Sequence, residues 1–139
     1  MKRRILLIDD DAAVRKSLGL ALEFEGHKVI QASDGHEGLT RFYDNHVDIV
    51  LLDLRTPAMN GWDTLERITA VNPSVPIIII TGQAGQYDKA DLAGAAALME
   101  KPLDIPTLLR TIQRLVDESA ERRIERIVAQ KTMMLPSVG

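Results

Sequence analysis

Ile5-Leu6-Leu7-Ile8-Asp9-Asp10-Asp11 is the stretch that decides the fold. Four consecutive apolar residues stopped by three acids fit a strand buried on both faces, since a strand with one wet side would alternate. The run ends where the acids begin, so carboxylates stand at the carboxyl end of a central strand. Outward from this stretch the same plan recurs. Val14, Leu18, Ala21 and Leu22 follow at i, i+4, i+7 and i+8, the spacing of a helix with one buried stripe, and Gly26 supplies a stop. Lys28 to Ala32 predicts a short second strand. Leu39, Phe42 and Tyr43 mark a second helix, and Val47-Asp48-Ile49-Val50-Leu51-Leu52 predicts a third strand ending at Asp53.

A turn-rich loop comes next, Arg55-Thr56-Pro57-Ala58-Met59-Asn60-Gly61, in which Pro57 and the Asn-Gly pair break any regular element. A helix is expected around Asp63 to Val71. Pro76-Ile77-Ile78-Ile79-Ile80-Thr81 is the most apolar run, β-branched throughout its centre, and belongs in the middle of a parallel sheet. Gln86 to Ala97, rich in alanine and glycine, is read as a short helix, and Leu98 to Glu100 as a fifth strand closing at Lys101-Pro102. Ile105, Leu108, Leu109, Ile112, Leu115 and Val116 give a further helix a clear stripe, with Asp104 as N-cap and Pro106 tolerated in the first turn. Strand-then-helix alternation implies right-handed crossovers and an α/β, doubly wound parallel sheet with helices on both faces. Ligands in such folds sit beyond the carboxyl ends of the strands, where Asp9, Asp10, Asp53, Thr81 and Lys101 all fall.

Composition narrows the function classes. At 139 residues and 45% apolar, the chain suits one packed domain plus a tail. The absence of cysteine excludes disulfides, thiolate metal sites and cysteine nucleophiles. A net charge of -3 argues against nucleic acid as a partner. Met1-Lys2-Arg3-Arg4 resembles the basic start of a signal peptide, but the apolar run behind it is too short for a leader or a membrane span. A cytoplasmic protein is therefore expected. His27, His36 and His46 share no metal-ligand spacing and read as surface residues.

Taken singly, the strand-end residues have ordinary readings as caps, turns and loop positions. Independent caps have no reason to place carboxylates after strands one and three, a hydroxyl after four and an ammonium after five. Three carboxylates against one lysine leave -2, which would raise a carboxylate pKa or repel phosphate. A divalent cation closes that balance, and few hard oxygen ligands favour Mg²⁺, with Mn²⁺ as the alternative. With a cation bound, one carboxylate can attack phosphorus while the metal, Thr81 and Lys101 neutralise the equatorial oxygens. Asp53, alone between an apolar strand and a loop, is the best candidate nucleophile.

Ile5 to Asp11, Leu51 to Pro57 with Met59-Asn-Gly61, Ile79-Ile-Thr-Gly82 and Glu100-Lys-Pro102 together resemble the receiver domain of bacterial two-component response regulators over about residues 3 to 118. The resemblance implies a flavodoxin-like (βα)5 fold with strand order 2-1-3-4-5. It implies a phosphoacceptor rather than an enzyme with a separate substrate. Asp53 would take its phosphoryl group from a sensor histidine kinase or histidine phosphotransfer protein, and the domain would catalyse its own phosphorylation and dephosphorylation. Asp10, Asp53 and the Arg55 backbone carbonyl would hold Mg²⁺, with Asp9 acting through a water. Thr81 and Lys101 would bind phosphoryl oxygens, and the Lys101–Pro102 bond would be cis. Two departures stand out. Leu98 occupies a switch position where the family often carries Tyr or Phe moving with Thr81, and Arg55 could overhang the site.

Residues 1–118 are thus expected to form the receiver domain and residues 119–139 a continuation of the last helix to about residue 129, then a flexible tail or linker. Its narrow stripe of Ala120, Ile124 and Ile127-Val128 would pack against a second copy or lead into an output domain. Arg122, Arg123 and Arg126 read as a solvated face. Two rival functions use the same residues. A haloacid-dehalogenase-like phosphatase would employ Asp9 with Asp11, and a receiver-like module could bind partners without phosphorylation.

Overall fold

The computed structural model describes residues 3–54, 61–82, 85, 94–118 and 120–133. Five parallel strands, β1 (Arg4–Ile8), β2 (Lys28–Ala32), β3 (Ile49–Asp53), β4 (Ile77–Thr81) and β5 (Ala97–Glu100), lie in the order β2-β1-β3-β4-β5. The helices described are α1 (Ala12–Phe24), α2 (Gly35–Asp44), α3 (Gly61–Val71), α4 (Ile105–Asp117) and α5 (Ala120–Met133). This is the flavodoxin-like order that the resemblance implied.

Strand alternation divides the core into two layers. Leu6, Ile8, Val50, Leu52, Ile77 and Ile79 face α2 and α3, packing with Leu39, Phe42, Leu65 and Ile68. Ile5, Leu7, Ile49, Leu51, Ile78 and Ile80 face the other way, against Leu18 and Leu22 of α1 and Leu108, Ile112 and Leu115 of α4. β1, β3 and β4 are buried on both faces, which is why their sequences read as unbroken apolar runs. Register aligns Ile8 with Leu52 and Asp53 with Ile80, so the ends of the central strands fall on one edge of the sheet.

The expected helices agree at α1, α2, α3 and α4. Asp104 takes the N-cap position of α4, though its carboxylate accepts from the Thr107 hydroxyl instead of a backbone amide. Most of the helix expected over 86–97 lies outside the described residues, and Gly94 occupies a turn with φ of 90°.

The single long helix expected to about residue 129 is corrected. α4 stops at Asp117, Glu118 adopts extended backbone (ψ 140°), and a separate α5 runs to Met133, past the predicted start of the tail at Gln130. At the break, Arg123 folds back onto the end of α4. Its guanidinium donates to the carbonyls of Leu115 (2.9 Å), Glu118 (2.5 Å) and Ser74, while Arg126 pairs with Glu118. Two members of the basic cluster read as solvated are therefore anchors, and α5 sits at the edge of the sheet opposite the acids. His27 is likewise half-buried, its Nδ1 accepting from the Arg3 amide at 3.3 Å, and burial lowers its pKa from the ordinary value.

Candidate functional site

Each acid is placed by the strand before it. Asp9 follows β1 directly, and its amide donates to Ala32 O of β2 at 3.1 Å, extending the ladder by one bond. Asp53 is the last residue of β3, and the next amide, Leu54 N, donates to Ile80 O at 3.1 Å. Asp9 and Asp53 are only 2% and 1% exposed, whereas Asp10 is exposed. Oxygens from all three carboxylates lie within 4.8 Å of one another.

Lys101 enters from the end of β5, where its amide donates to Thr81 O at 2.8 Å. Its ammonium lies 2.6 Å from Asp53 Oδ2 and 4.0 Å from Asp9 Oδ2. Thr81 ends β4 and is buried, and the Lys101–Pro102 peptide is cis. The structure thus brings Asp9, Asp10, Asp53 and Lys101 into contact range and puts Thr81 at the same edge. Arg55, with its backbone carbonyl, lies outside the described residues. Leu98 is half-buried on β5 opposite Ile79 and packs against the core layer shared by α2 and α3.

Electrostatics make this a site under tension. Burial pushes the Asp9 carboxyl up to about 6, and the neighbouring Asp53 charge adds to the rise, while the Asp11 amide and Lys101 act against it. The Asp11 amide donates to Asp9 Oδ1 at 2.9 Å. Such a cluster of acids, two of them buried and partnered by one lysine, suits a hard divalent cation with oxygen ligands.

The structure decides which of the three adjacent acids caps α1 and gives Arg15 a role that the sequence did not reveal. Asp11 is the N-cap of α1, accepting from Ala13 N (2.9 Å) and Val14 N (3.2 Å), so its carboxylate is turned to the helix. Arg15 Nη1 reaches back six residues to the Asp9 carbonyl at 2.6 Å. An arginine on an amphipathic helix looks like a solvated side chain, and only the fold reveals the buried carbonyl beneath it.

Comparisons with known proteins point the same way. Residues 5–113 match the family model of the response regulator receiver domain. The chain is 36% identical over 137 residues to the transcriptional regulatory protein GlrR of Escherichia coli K12, covering 94% of this chain but 31% of GlrR. It spans about a third of that relative's length. It is 34% identical over 113 residues to protein PilH of Pseudomonas aeruginosa, covering 78% of this chain and 93% of PilH. Among solved structures, a CheY-like receiver domain protein from Methanospirillum hungatei superposes with a TM-score of 0.81 at 34% identity, covering 88% of this chain and 98% of the other.

Proposed function

We propose, from the premise that this chain belongs to the response regulator receiver domain family, that it is a phosphoacceptor: Asp53 takes a phosphoryl group from a phosphohistidine donor with Mg²⁺ bound at Asp9, Asp10 and Asp53. The observation that carries this reading is the contact of Lys101 with Asp53 at 2.6 Å inside a three-carboxylate cluster at the carboxyl edge of the sheet.

Asp10 and Asp53 would hold the cation directly, together with the Arg55 carbonyl, and Asp9 through a water. The cation supplies charge neutralisation, turning a -2 cluster into one that admits a phosphoryl group. An Asp53 carboxylate oxygen forms the new bond to phosphorus. The bond from phosphorus to the histidine nitrogen breaks, its electron pair staying on that nitrogen, and the product is an aspartyl phosphate. Lys101 holds Asp53 Oδ2 beforehand and turns to a phosphoryl oxygen once the acyl phosphate forms, so the nucleophile is oriented before transfer and its product charge is met afterwards. Thr81 donates its hydroxyl to another phosphoryl oxygen. Hydrolysis of the acyl phosphate by water releases phosphate, regenerates the Asp53 carboxylate and resets the domain.

The partner is a sensor histidine kinase or histidine phosphotransfer protein, and the output is a changed surface read by an effector. Leu98 lacks the ring that would swing with Thr81, so the switch in this chain relies on Thr81 and the backbone of β5. The phosphatase reading is disfavoured by Asp11, whose carboxylate caps α1, and by the central place of Asp53, which it leaves without a role.

The test is incubation with Mg²⁺ and acetyl phosphate, following both protein-bound phosphoryl group and released phosphate. A wild-type adduct absent from Asp53→Asn supports the phosphoacceptor. Steady release of phosphate from acetyl phosphate or an added phosphate monoester that survives Asp53→Asn but is lost in Asp9→Asn would establish the phosphatase instead.

A further inference from the structure

The turn between β1 and α1 is tied at three polar atoms of Asp9, its amide, its carbonyl and Oδ1. Ladder pairing of β1 ends at Ile8, aligned with Ala32 on one side and Leu52 on the other. Asp9 N continues the ladder to Ala32 O, while Asp9 O lies beyond the last residue pair of the ladder. Its partner is the Arg15 guanidinium at 2.6 Å, a short charge-assisted bond. The Arg15 backbone amide donates to Asp11 O at 2.9 Å, so one residue of α1 grips the turn at two carbonyls.

The Asp9 carbonyl belongs to the peptide plane that joins Asp9 to Asp10. Holding that oxygen sets the rotation of the plane and therefore the direction in which Asp10 leaves the backbone. Asp9 is buried with its Oδ1 fixed by the Asp11 amide, whereas Asp10 is exposed and its carboxylate has no hydrogen bond among the described residues. We infer that Arg15 is a positioning residue for the cation site, keeping the Asp10 carboxylate in register with Asp9 and Asp53 through its bond to the Asp9 carbonyl. This rests on the metal reading above and extends it to a residue that touches neither cation nor phosphoryl group. Outer partners of metal ligands commonly change affinity by about 10- to 100-fold when removed.

The experiment is calorimetric titration with MgCl₂ at neutral pH, with metal-free melting measured in parallel. Arg15→Met keeps most of the stem and removes the donors, and Arg15→Lys restores a cationic donor. Arg15→Met is expected to weaken Mg²⁺ binding about tenfold while metal-free melting stays near wild type, and Arg15→Lys to regain much of the affinity. An affinity for Arg15→Met within about twofold of wild type, on the scale of that same principle, overturns the proposal. So does a loss that tracks reduced melting temperature and is not regained by lysine. Should Arg15→Met fail to fold, the comparison of Arg15→Lys with wild type decides, because a point-charge donor cannot reproduce the planar fork and must show a smaller loss in the same direction. Wild-type protein that binds no Mg²⁺ would overturn the metal reading itself, an outcome distinct from wild-type binding that Arg15→Met retains.

Discussion

Replacing Asp9 by Asn should make the metal-free protein more stable at neutral pH, although it removes a buried polar group's charge from the centre of the site. The Asp9 carboxyl is pushed from 3.8 to about 6, chiefly by burial. Two units at ~1.4 kcal/mol each place the cost of ionising Asp9 in the fold on the order of 3 kcal/mol. At 2% exposure solvent does little to reduce it. The sign follows from proton counting. Between pH 4 and 6 the folded state holds a proton at Asp9 that the unfolded chain has released, so this group's contribution lowers stability as pH rises through that window. Urea denaturation of wild type and Asp9→Asn in EDTA, from pH 4 to 7.5, measures the difference for Asp9 together with its effect on Asp53, since carboxylates remote from the site cancel. The gap between the two proteins should widen in favour of Asn by about 2 to 3 kcal/mol between pH 4 and 7, and Mg²⁺ should close most of it by neutralising the cluster. Parallel curves across the whole range would refute the argument that burial and Asp53 strain this carboxylate.

Other residues give further outcomes. Lys101→Met removes the ammonium 2.6 Å from buried Asp53; a buried pair broken at one partner costs about 3 to 5 kcal/mol, and because the Lys101 side chain is 26% exposed a loss nearer 2 is expected, partly recovered by Mg²⁺ in a melting assay. Arg123→Ala strips donors from the Ser74, Leu115 and Glu118 carbonyls, so stability should fall by about 1 to 3 kcal/mol and hydrogen exchange should quicken across α5 while β1 and β3 stay protected. Gly61→Ala should destabilise by about 1 to 3 kcal/mol despite alanine's better helix propensity, because its Cβ would lie 2.9 Å from Leu54 Cα and 3.0 Å from Leu54 O, backbone that cannot give way; an equal or higher melting temperature would contradict this.

What the sequence made legible follows from how locally each feature is encoded. β1, β3 and β4 are buried on both faces, so their apolar runs announce them, and an acid or threonine directly after each run must fall on the sheet's carboxyl edge. Asp9, Asp53, Thr81 and Lys101 could therefore be placed on one edge before any contact was known. The contacts that remained hidden are those between side chains and distant carbonyls. Arg123 bonds to Ser74, 49 residues earlier, and no periodicity in the segment 120–133 encodes that partner. The stripe of Ile124, Ile127 and Val128 suited one long helix equally well, and it is Arg123 and Arg126 returning to Leu115 and Glu118 that go with the break. Arg15 was hidden for the same reason, its partner being a backbone oxygen that every residue carries. Asp11, one of three adjacent acids, could be told from Asp10 only when the helix start showed which of them caps α1.

The central claim is that Asp53 is the phosphoacceptor and that the cation is required. Intact-mass and peptide mass spectrometry after incubation with acetyl phosphate, with Mg²⁺ or with EDTA, tests it most directly. The account predicts a single phosphoryl adduct mapping to Asp53, present with Mg²⁺, absent in EDTA and absent from Asp53→Asn. An adduct on another residue, or one on Asp53 formed equally well in EDTA, would contradict it.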